Sequence, residues 1–284
     1  MRSVTGGRSD VAMRKVILVT VLAVFAAHAN GSMVSHWKLD ETSGQTALDS
    51  AGGSDGTLGS SVGVDTSDPA IGQPGVFETG YTFTSGDGDR VLIDNLDPFA
   101  GLTTGSVTGW FNTASSPRGA LMNFGEASTT DRLIVEIVDG GNLRLVIREN
   151  NSNQTDLQTA ATYEDGSWHH FAFMQDGVST TLHVDGSEVT GFSINTNSAA
   201  WFKTITGPST MSIGWETRSN GQYPFNGTID DVAIFDHVLS GQELENVIAL
   251  GAEKYDIPEP ASLVLLGLGG LVITNRRRGG LPVR

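Results

Sequence analysis

The stretch RLIVEIVDGGNLRLVIRE, residues 132–149, places two runs of alternating apolar and polar residues around a short turn. Alternation with a period of two is typical of a strand that buries one face. The turn DGGN consists of residues that accept positive φ, so the stretch predicts a β-hairpin. A second hairpin is predicted in STTLHVDGSEVT, where the chain turns at Asp185 and Gly186. A chain built from such pairs forms antiparallel sheets.

The same pattern continues along the body of the chain. Short apolar runs alternate with turns of Gly, Asn, Asp and Ser, which predicts an all-β, two-sheet antiparallel sandwich. The predicted strands are Val34–Leu39, Arg90–Ile93, Ser106–Asn112, Leu121–Phe124, Leu133–Val138, Leu143–Arg148, Trp168–Gln175, Thr180–Val184, Met211–Trp215 and Asp231–Phe235. Residues 50–74 are rich in Gly, Ser and Asp and are predicted as long loops.

Two further elements are predicted in the body. The strand at 168–175 carries apolar residues on both faces, so we expect it at the centre of a sheet that is covered on both sides. Ser240 and Glu243 form a capping box before an apolar run that Gly251 can end, which predicts one short helix. We expect this helix to pack on the edge of the sandwich.

The charge of the chain excludes one class of partner. It has 17 Lys and Arg against 32 Asp and Glu, and most of the excess lies in the body. Between Asn30 and Pro260 there are 9 basic and 31 acidic residues, a net charge of −22. Such a body repels nucleic acid, so we expect no nucleic-acid partner. The absence of cysteine excludes a disulfide scaffold and a thiolate metal site.

The N-terminus has the features of an export signal. Arg14 and Lys15 precede the apolar run 16–27, and small residues follow it at the cleavage positions. This order predicts a signal peptide over residues 1–29. The alternative is a buried hydrophobic helix. Because residues 1–12 lengthen the basic region, Met13 is an alternative start.

The C-terminus has similar features in the reverse order, with an apolar run followed by basic residues. Residues 261–274 are mostly apolar, a run shorter than the roughly 20 residues that cross a bilayer as a helix. Arginines after the run hold its end on the cytoplasmic side. The flanking motif residues are Pro258, Glu259, Pro260, Arg276, Arg277 and Arg278.

These features together resemble the PEP-CTERM sorting signal of Gram-negative bacteria, with Ile257 where that family usually has valine. The resemblance implies a hydrophobic tail helix over 258–284 that inserts transiently into the inner membrane. It also implies processing by an exosortase at the Pro-Glu-Pro site. The protein would then reside in the cell envelope, at the cell surface or in the extracellular matrix. The alternative is a plain C-terminal membrane anchor.

Five phrases in the body carry a second resemblance. They are, in order, HWKLDETSGQTALDSAGGSDGTL, GSVTGWFNT, SWHHFAFMQDGVSTTLHVDG, MSIGWE and FNGTIDDVAIFDHVLSGQEL. Their order resembles the laminin G-like, concanavalin A-like lectin family, which implies a jelly-roll domain over 34–251 followed by a linker at 252–257. Function does not follow, because jelly rolls host lectins, adhesion modules and glycosidases.

Calcium is the cofactor that the sequence suggests. Strict alternation in GTIDDVAIFDHVLS puts Asp230 and Asp231 on opposite faces, so one carboxylate lies on a largely apolar face and needs hydrogen bonds or a cation. The N-terminal segment offers Asp40 and Asp49, and Ca²⁺ takes six to eight oxygen ligands. Members of the resembled family often bind calcium, which makes these four aspartates the candidate ligands. The alternative is that they cap turns and accept backbone amides.

A carbohydrate site requires an aromatic ring on an exposed loop with polar groups beside it. The loop WETRSNGQYPF supplies Trp215, Arg218, Asn220, Gln222 and Tyr223. Trp201 and the polar loop ENNSNQTD are further candidates. The alternative is that Trp215 fills the core and Tyr223 covers a sheet edge.

Catalysis has less support. A glycosidase requires two carboxyl groups across a cleft, and Asp131 and Glu136 fall on opposite faces of their strand. His169 and His170 also face opposite sides, which argues against a shared zinc site. We therefore expect an exported, non-catalytic protein that binds a polysaccharide or a surface protein. The alternatives are an extracellular glycoside hydrolase or lyase on the same fold, and a purely structural matrix component.

Overall fold

The computed structural model describes residues 31–114, 117–125, 131–218 and 221–256. The predicted signal peptide, the residues of the sorting signal and Asn220 lie outside these ranges. No helix within them is long and apolar enough to span a bilayer.

The described body consists of strands with one α-helix. In chain order the strands are β1 (Met33–Trp37), β2 (Thr46–Ala47), β3 (Gly56–Leu58), β4 (Ala70–Pro74), β5 (Thr79–Phe83), β6 (Val91–Ile93), β7 (Gly105–Asn112), β8 (Gly119–Gly125), β9 (Arg132–Ile137), β10 (Asn142–Glu149), β11 (Ser152–Thr162), β12 (Trp168–Gln175), β13 (Thr180–Val184), β14 (Ser187–Glu188), β15 (Phe192–Thr196), β16 (Thr210–Ile213), β17 (Thr217–Arg218), β18 (Gly221–Gln222) and β19 (Gly227–Phe235). The helix α1 spans Gly241–Leu250, and short 3-10 helices cover Phe202–Thr204 and Ala252–Lys254.

The strands form two large sheets. Sheet A has the order β14-β13-β12-β7-β19-β5-β4, with β1 also paired to β19. Sheet B has the order β15-β11-β10-β9-β8-β16-β6-β3-β2, and β17 and β18 make a separate hairpin. The pairs within both sheets are antiparallel. The predicted all-β jelly-roll sandwich is confirmed.

Sequence patterns found ten of the strands and missed others, including the inner strands β5 and β11. All ten predicted strands are present, and β12 lies between β13 and β7 as expected for a central strand. The prediction of long loops at 50–74 is wrong, because β3 and β4 lie there. They are short, and β4 alternates between exposed and half-buried residues, so neither carries a strong apolar signal.

The main core lies between the two sheets. Its large side chains are fully buried and come from both sheets and from the loops that join them, among them Trp37, Tyr81, Phe99, Phe111, Phe124, Phe171, Phe173 and Phe202. Alternation along each strand turns the neighbouring residues away from this core, so each sheet also has an outer face.

Helix α1 covers part of the outer face of sheet A. Its residues Leu244 and Val247 are buried with Ala172, Ala233 and Phe235 of the sheet. The capping box is confirmed: Ser240 Oγ accepts from Glu243 N, and Glu243 Oε2 accepts from Ser240 N. The expected position on the edge of the sandwich is wrong, because β12 and β19 are inner strands and each offers the helix an apolar outer face.

The segment predicted as a linker at 252–257 is folded as far as Asp256. The Tyr255 ring lies 5.1 Å from the Phe235 ring, and its hydroxyl donates to the Gly31 carbonyl at 3.3 Å. Both ends of the described body therefore meet beside α1.

Candidate functional site

The outer face of sheet B carries charged side chains in place of a covering helix. On β10, Leu143, Leu145 and Ile147 point into the core, so Arg144 and Arg148 lie on the opposite side. We call this side the arginine face, and it comprises Arg118, Arg132, Arg144 and Arg148 with Glu136, Asp156 and Glu216.

A buried glutamate organises the centre of this face. Glu136 on β9 is fully buried, and Arg118 grips it with two hydrogen bonds, from Nε to Oε2 at 2.6 Å and from Nη2 to Oε1 at 2.8 Å. Arg144, its cross-strand partner, brings Nη1 to 3.7 Å from Oε1. Burial raises the pKa of Glu136 above its usual value, and the hydrogen bonds from Arg118 oppose that rise. Fixed between two guanidinium groups, the carboxylate sets the position of both.

Further ion pairs extend the array in both directions. Arg144 donates through Nε and Nη2 to both oxygens of Asp156 at 2.8 and 2.7 Å, and Asn153 donates to the same carboxylate at 2.7 Å. Arg132 Nε lies 2.9 Å from Glu216 Oε1. The bidentate pairs of Arg118 and Arg144 fix their guanidinium groups in one orientation. The Arg118 and Arg144 side chains keep 22% and 18% exposure, so the array is rigid and still reaches solvent.

The predicted carbohydrate loop meets this face through one residue. The Arg118 guanidinium lies over the half-buried Tyr223 ring, 4.7 Å from its centroid, and the Tyr223 carbonyl accepts from Ala120 N at the start of β8. Gln222 is exposed on β18 beside it. The structure thus brings Tyr223 to the arginine face.

The other residues of that loop are placed differently. Trp215 is only 4% exposed, with Arg90 4.7 Å from its ring centroid, so little of its surface is open to a sugar. Arg218 belongs to β17, and Asn220 lies outside the described ranges. Trp201, the further aromatic candidate, is buried in the core.

The arginines of the arginine face were not predicted as site residues and Glu136 was considered only as a catalytic carboxyl group, although a sequence signal for their array exists. Alternation in the hairpin 132–149 puts Arg132 and Glu136 on one side of β9, and Arg144 and Arg148 on one side of β10. A search for paired charges at outward strand positions would have found them.

Two of the four predicted calcium ligands hold loops. Asp49 accepts backbone amides from His36, Gly52 and Ser54 at 2.9, 2.9 and 3.0 Å, and Asp40 accepts from Thr79 N at 3.0 Å. These contacts match the turn-capping alternative.

The other two aspartates lie at a β-bulge that strict alternation did not anticipate. Pairing with β7 shifts between Asp230 and Ala233, and Asp231 has φ of 52°. As a result Val232 points into the same core as Ile229, and Ala233 points to the outer face with Asp230. The predicted two faces of this strand are therefore wrong beyond Asp230, and both carboxylates are buried.

Each buried aspartate has protein donors. Asp230 Oδ2 accepts from Val76 N and Phe77 N at 2.7 and 2.9 Å, and burial raises its pKa to about 7. Asp231 joins His36 Nε2 at 2.6 Å and Ala252 N at 2.9 Å.

Among the described residues, no three His, Asp or Glu side chains lie together so as to hold a metal ion. Asp40 and Asp231 line one cleft of about 280 Å³ with Lys38, Glu78 and Glu253. Several carboxylate oxygens of the four predicted ligands already accept backbone amides, namely Asp40 Oδ1, both oxygens of Asp49, Asp230 Oδ2 and Asp231 Oδ2. Calcium binding stays a prediction, and we assign no step of the function to it.

Thermal melting of the exported protein tests calcium. A site held at a hundred times its Kd stabilises the folded state by about 2.7 kcal/mol, so calcium binding predicts a melting temperature several degrees higher in calcium than in chelator. Asp40→Asn should reduce that shift, and Asp94→Asn, at an exposed position, should keep it. Equal melting temperatures in calcium and chelator would remove the ion from the account.

His169 and His170 face opposite sides of β12, as expected. His169 contacts Asp185 and Asp165 at 2.9 and 3.3 Å, whereas His170 is fully buried on the other side of β12 beside Trp110. Burial lowers the pKa of His170 to about 3, so it is neutral at physiological pH.

Two solved structures of low identity share this fold, and a third resembles it more distantly. Domain 4 of AbnA, a GH43 extracellular arabinanase from Geobacillus stearothermophilus in complex with arabinotriose, is 17% identical with a TM-score of 0.53, over 77% of this chain and 98% of that one. Trypanosoma rangeli sialidase in complex with the inhibitor DANA is 11% identical with a TM-score of 0.53, over 76% of this chain and 32% of that one. The CBM40 of Ruminococcus gnavus IT-sialidase, bound to α2,3-sialyllactose, is 19% identical with a TM-score of 0.44, over 52% of this chain and 84% of that one. These likenesses concern the fold alone.

Family models identify the body and the tail. The model of the concanavalin A-like lectin/glucanases superfamily matches residues 85–245, more than half of the chain. The PEP-CTERM protein-sorting motif matches residues 256–278, which include the predicted Pro-Glu-Pro and arginine residues. No curated protein matches the chain. The chain belongs to the concanavalin A-like lectin/glucanases superfamily and carries a PEP-CTERM sorting motif, which makes it an exported protein of the cell envelope or surface.

Proposed function

We propose that the protein is a non-catalytic carbohydrate-binding module, displayed at the cell surface or in the extracellular matrix, that binds glycans on the arginine face. The observation that carries this proposal is Tyr223, a half-buried ring stacked on Arg118 at the border of a fixed polar array.

The chemistry of this border suits a sugar. The C–H faces of a sugar ring pack on an aromatic ring, while its hydroxyls need donors and acceptors at fixed positions. Arg118 and Arg144 supply donors that their bidentate partners already hold in place. Side chains that are fixed before binding lose little conformational entropy on binding, which favours affinity.

One structural neighbour supports the glycan class. The AbnA domain resembles this chain over 98% of its own length and is described in complex with arabinotriose. A sandwich of this architecture thus serves as a separate domain of an enzyme that acts on a polysaccharide.

The state of the acidic residues supports a non-catalytic role. A glycosidase needs one carboxyl group to give a proton and a second to act as base or nucleophile at the scissile bond. Glu136 and Glu216 are both fully buried, and each is paired with an arginine. Neither is free to exchange a proton with a substrate.

The sorting tail supplies the second partner. We propose that the tail inserts transiently into the inner membrane and that an exosortase-type enzyme processes it, as the PEP-CTERM motif implies. The sandwich itself would then face a polysaccharide or a surface protein outside the cell.

Glycan binding by the exported protein tests the proposal. We expect retention on immobilised polysaccharides and a five- to ten-fold loss of affinity in Tyr223→Ala, because an aromatic contact contributes about 1 kcal/mol. Tyr223→Phe keeps the ring and should keep most of the affinity. Tyr163→Ala is the matched control, since Tyr163 is a half-buried tyrosine that packs on His169. Release of new reducing ends from the polymer would favour the hydrolase, and no retention on any polymer would favour the purely structural component.

A further inference from the structure

The basic residues of the body are unevenly placed. Only nine occur between Asn30 and Pro260, and four of them, Arg118, Arg132, Arg144 and Arg148, lie on the arginine face. That face holds three acidic partners, Glu136, Asp156 and Glu216. Counted over the described residues, a body with a net charge of −22 thus presents one face on which four arginines meet three paired acidic side chains. An anionic chain meets the least repulsion there.

Arg148 stands out within this group. It pairs directly across the sheet with Arg132, and like charges in that position destabilise a sheet. Arg132 has Glu216 as counterion. Arg148 donates through Nη2 to the Asn151 carbonyl at 3.1 Å, and its buried Nε has no acceptor within the described part of the chain. Among the described residues, no carboxylate pairs with Arg148.

A second polar atom on this side of sheet B also lacks a partner. Asn123 on β8 is 2% exposed, and its Oδ1 has no donor among the described residues. It lies on the same outer side as Ile134, its cross-strand neighbour, one strand from Val146. A buried acceptor without a donor and a buried donor without an acceptor both carry a free-energy cost, which a ligand with hydroxyl and acidic groups would relieve.

We propose, building on the glycan-binding function above, that the arginine face recognises an anionic polysaccharide whose carboxylate or sulfate group is received by Arg148. Guanidinium groups bind such planar or tetrahedral anions with paired, charge-assisted hydrogen bonds. Tyr223 and Arg118 hold a neutral part of the same chain at the other end of the face.

The spacing of the face requires an oligosaccharide. Arg144 and Arg148 are four residues apart on one strand, which is about 13 Å at the usual rise per residue. Arg118 lies beyond Arg144, on the far side of Glu136. A single sugar cannot reach from Tyr223 to Arg148, so the ligand is an extended chain.

The test compares charged and neutral polymers on the full exported protein. The probes are polygalacturonate, dextran sulfate, and the neutral polymers dextran and arabinan. We expect tighter binding to at least one acidic polymer than to either neutral one, with an affinity that falls as salt rises. Binding to polygalacturonate alone would assign a carboxylate, and binding to both acidic polymers would assign anions in general.

Arg148→Gln isolates the proposed contact. Loss of one charge-assisted contact should weaken binding to the acidic polymer about ten-fold and leave binding to neutral polymers unchanged. Arg148→Lys should recover part of the loss. Lys254→Gln removes one positive charge beside α1, on the opposite side of the sandwich, and should change affinity less than two-fold.

A melting curve separates this role from a structural one. Because Arg148 faces Arg132 without a counterion, Arg148→Gln should keep or raise the melting temperature, whereas loss of a structural contact would lower it. Equal binding of acidic and neutral polymers, or an unchanged affinity in Arg148→Gln, would overturn the inference and leave the proposed function standing. Binding to none of the polymers would overturn both.

Discussion

Replacing Asp231 by alanine should lower the free energy of unfolding by about 3 kcal/mol or more. The substitution leaves His36 Nε2 and Ala252 N buried without their acceptor. Asp231 also has φ of 52°, a backbone conformation that alanine adopts less readily than aspartate or asparagine. One side chain thus joins the first strand, the last strand and the segment after α1.

Urea denaturation of Asp231→Ala against the wild type measures this loss. Asp94→Ala is the matched control, because Asp94 is an exposed aspartate, and it should change the free energy of unfolding by less than about 0.5 kcal/mol. Asparagine tolerates the same backbone conformation, so Asp231→Asn should lower the free energy of unfolding less than Asp231→Ala. A loss below 1 kcal/mol in Asp231→Ala would show that this junction does not hold the ends of the domain together.

Replacing Glu136 by alanine should cost about 3 to 5 kcal/mol and abolish glycan binding. The substitution removes the carboxylate between Arg118 and Arg144, so two partly buried guanidinium groups face each other without it. Their repulsion would displace Arg118 from the Tyr223 ring. Stability and binding should therefore fall together.

Glu188→Ala is the control for this substitution. Glu188 is an exposed glutamate on the edge strand β14, and its loss should affect neither quantity. Glu136→Gln keeps the size of the side chain but loses the charge, so its stability and its affinity for glycan should lie between those of Glu136→Ala and the wild type. A stable Glu136→Ala variant that still binds glycan would refute the role that we give to the arginine face.

The sequence predicted those parts of the fold that depend on local pattern. Alternation in 132–149 found β9 and β10, and the pair Ser240 and Glu243 found α1. Each signal is formed by residues that are close in the sequence, so no tertiary information was needed. The strand β11, SNQTDLQTAAT, was missed because most of the residues that it buries are polar, among them Thr155 and Thr159, and its pairing with β10 makes it a strand.

The site was harder to predict because its contacts are not local. The pair of Arg118 with Tyr223 joins residues far apart in the chain, and the pair of Arg144 with Asp156 requires the register of β10 on β11. The bulge at Asp231 was invisible for a different reason: an aspartate with positive φ looks like any other aspartate in a sequence. Aromatic residues made the loop 215–225 the predicted carbohydrate site. The arginines of the arginine face have the pattern of ordinary outward-pointing strand residues, so they were not predicted.

The most direct test of the account is the retention of the exported protein on immobilised polysaccharides, with Tyr223→Ala measured beside it. The account predicts that the exported wild-type protein is retained, that Tyr223→Ala is retained five- to ten-fold more weakly, and that no polymer is cleaved. Passage of the wild-type protein through every polysaccharide without retention would contradict it.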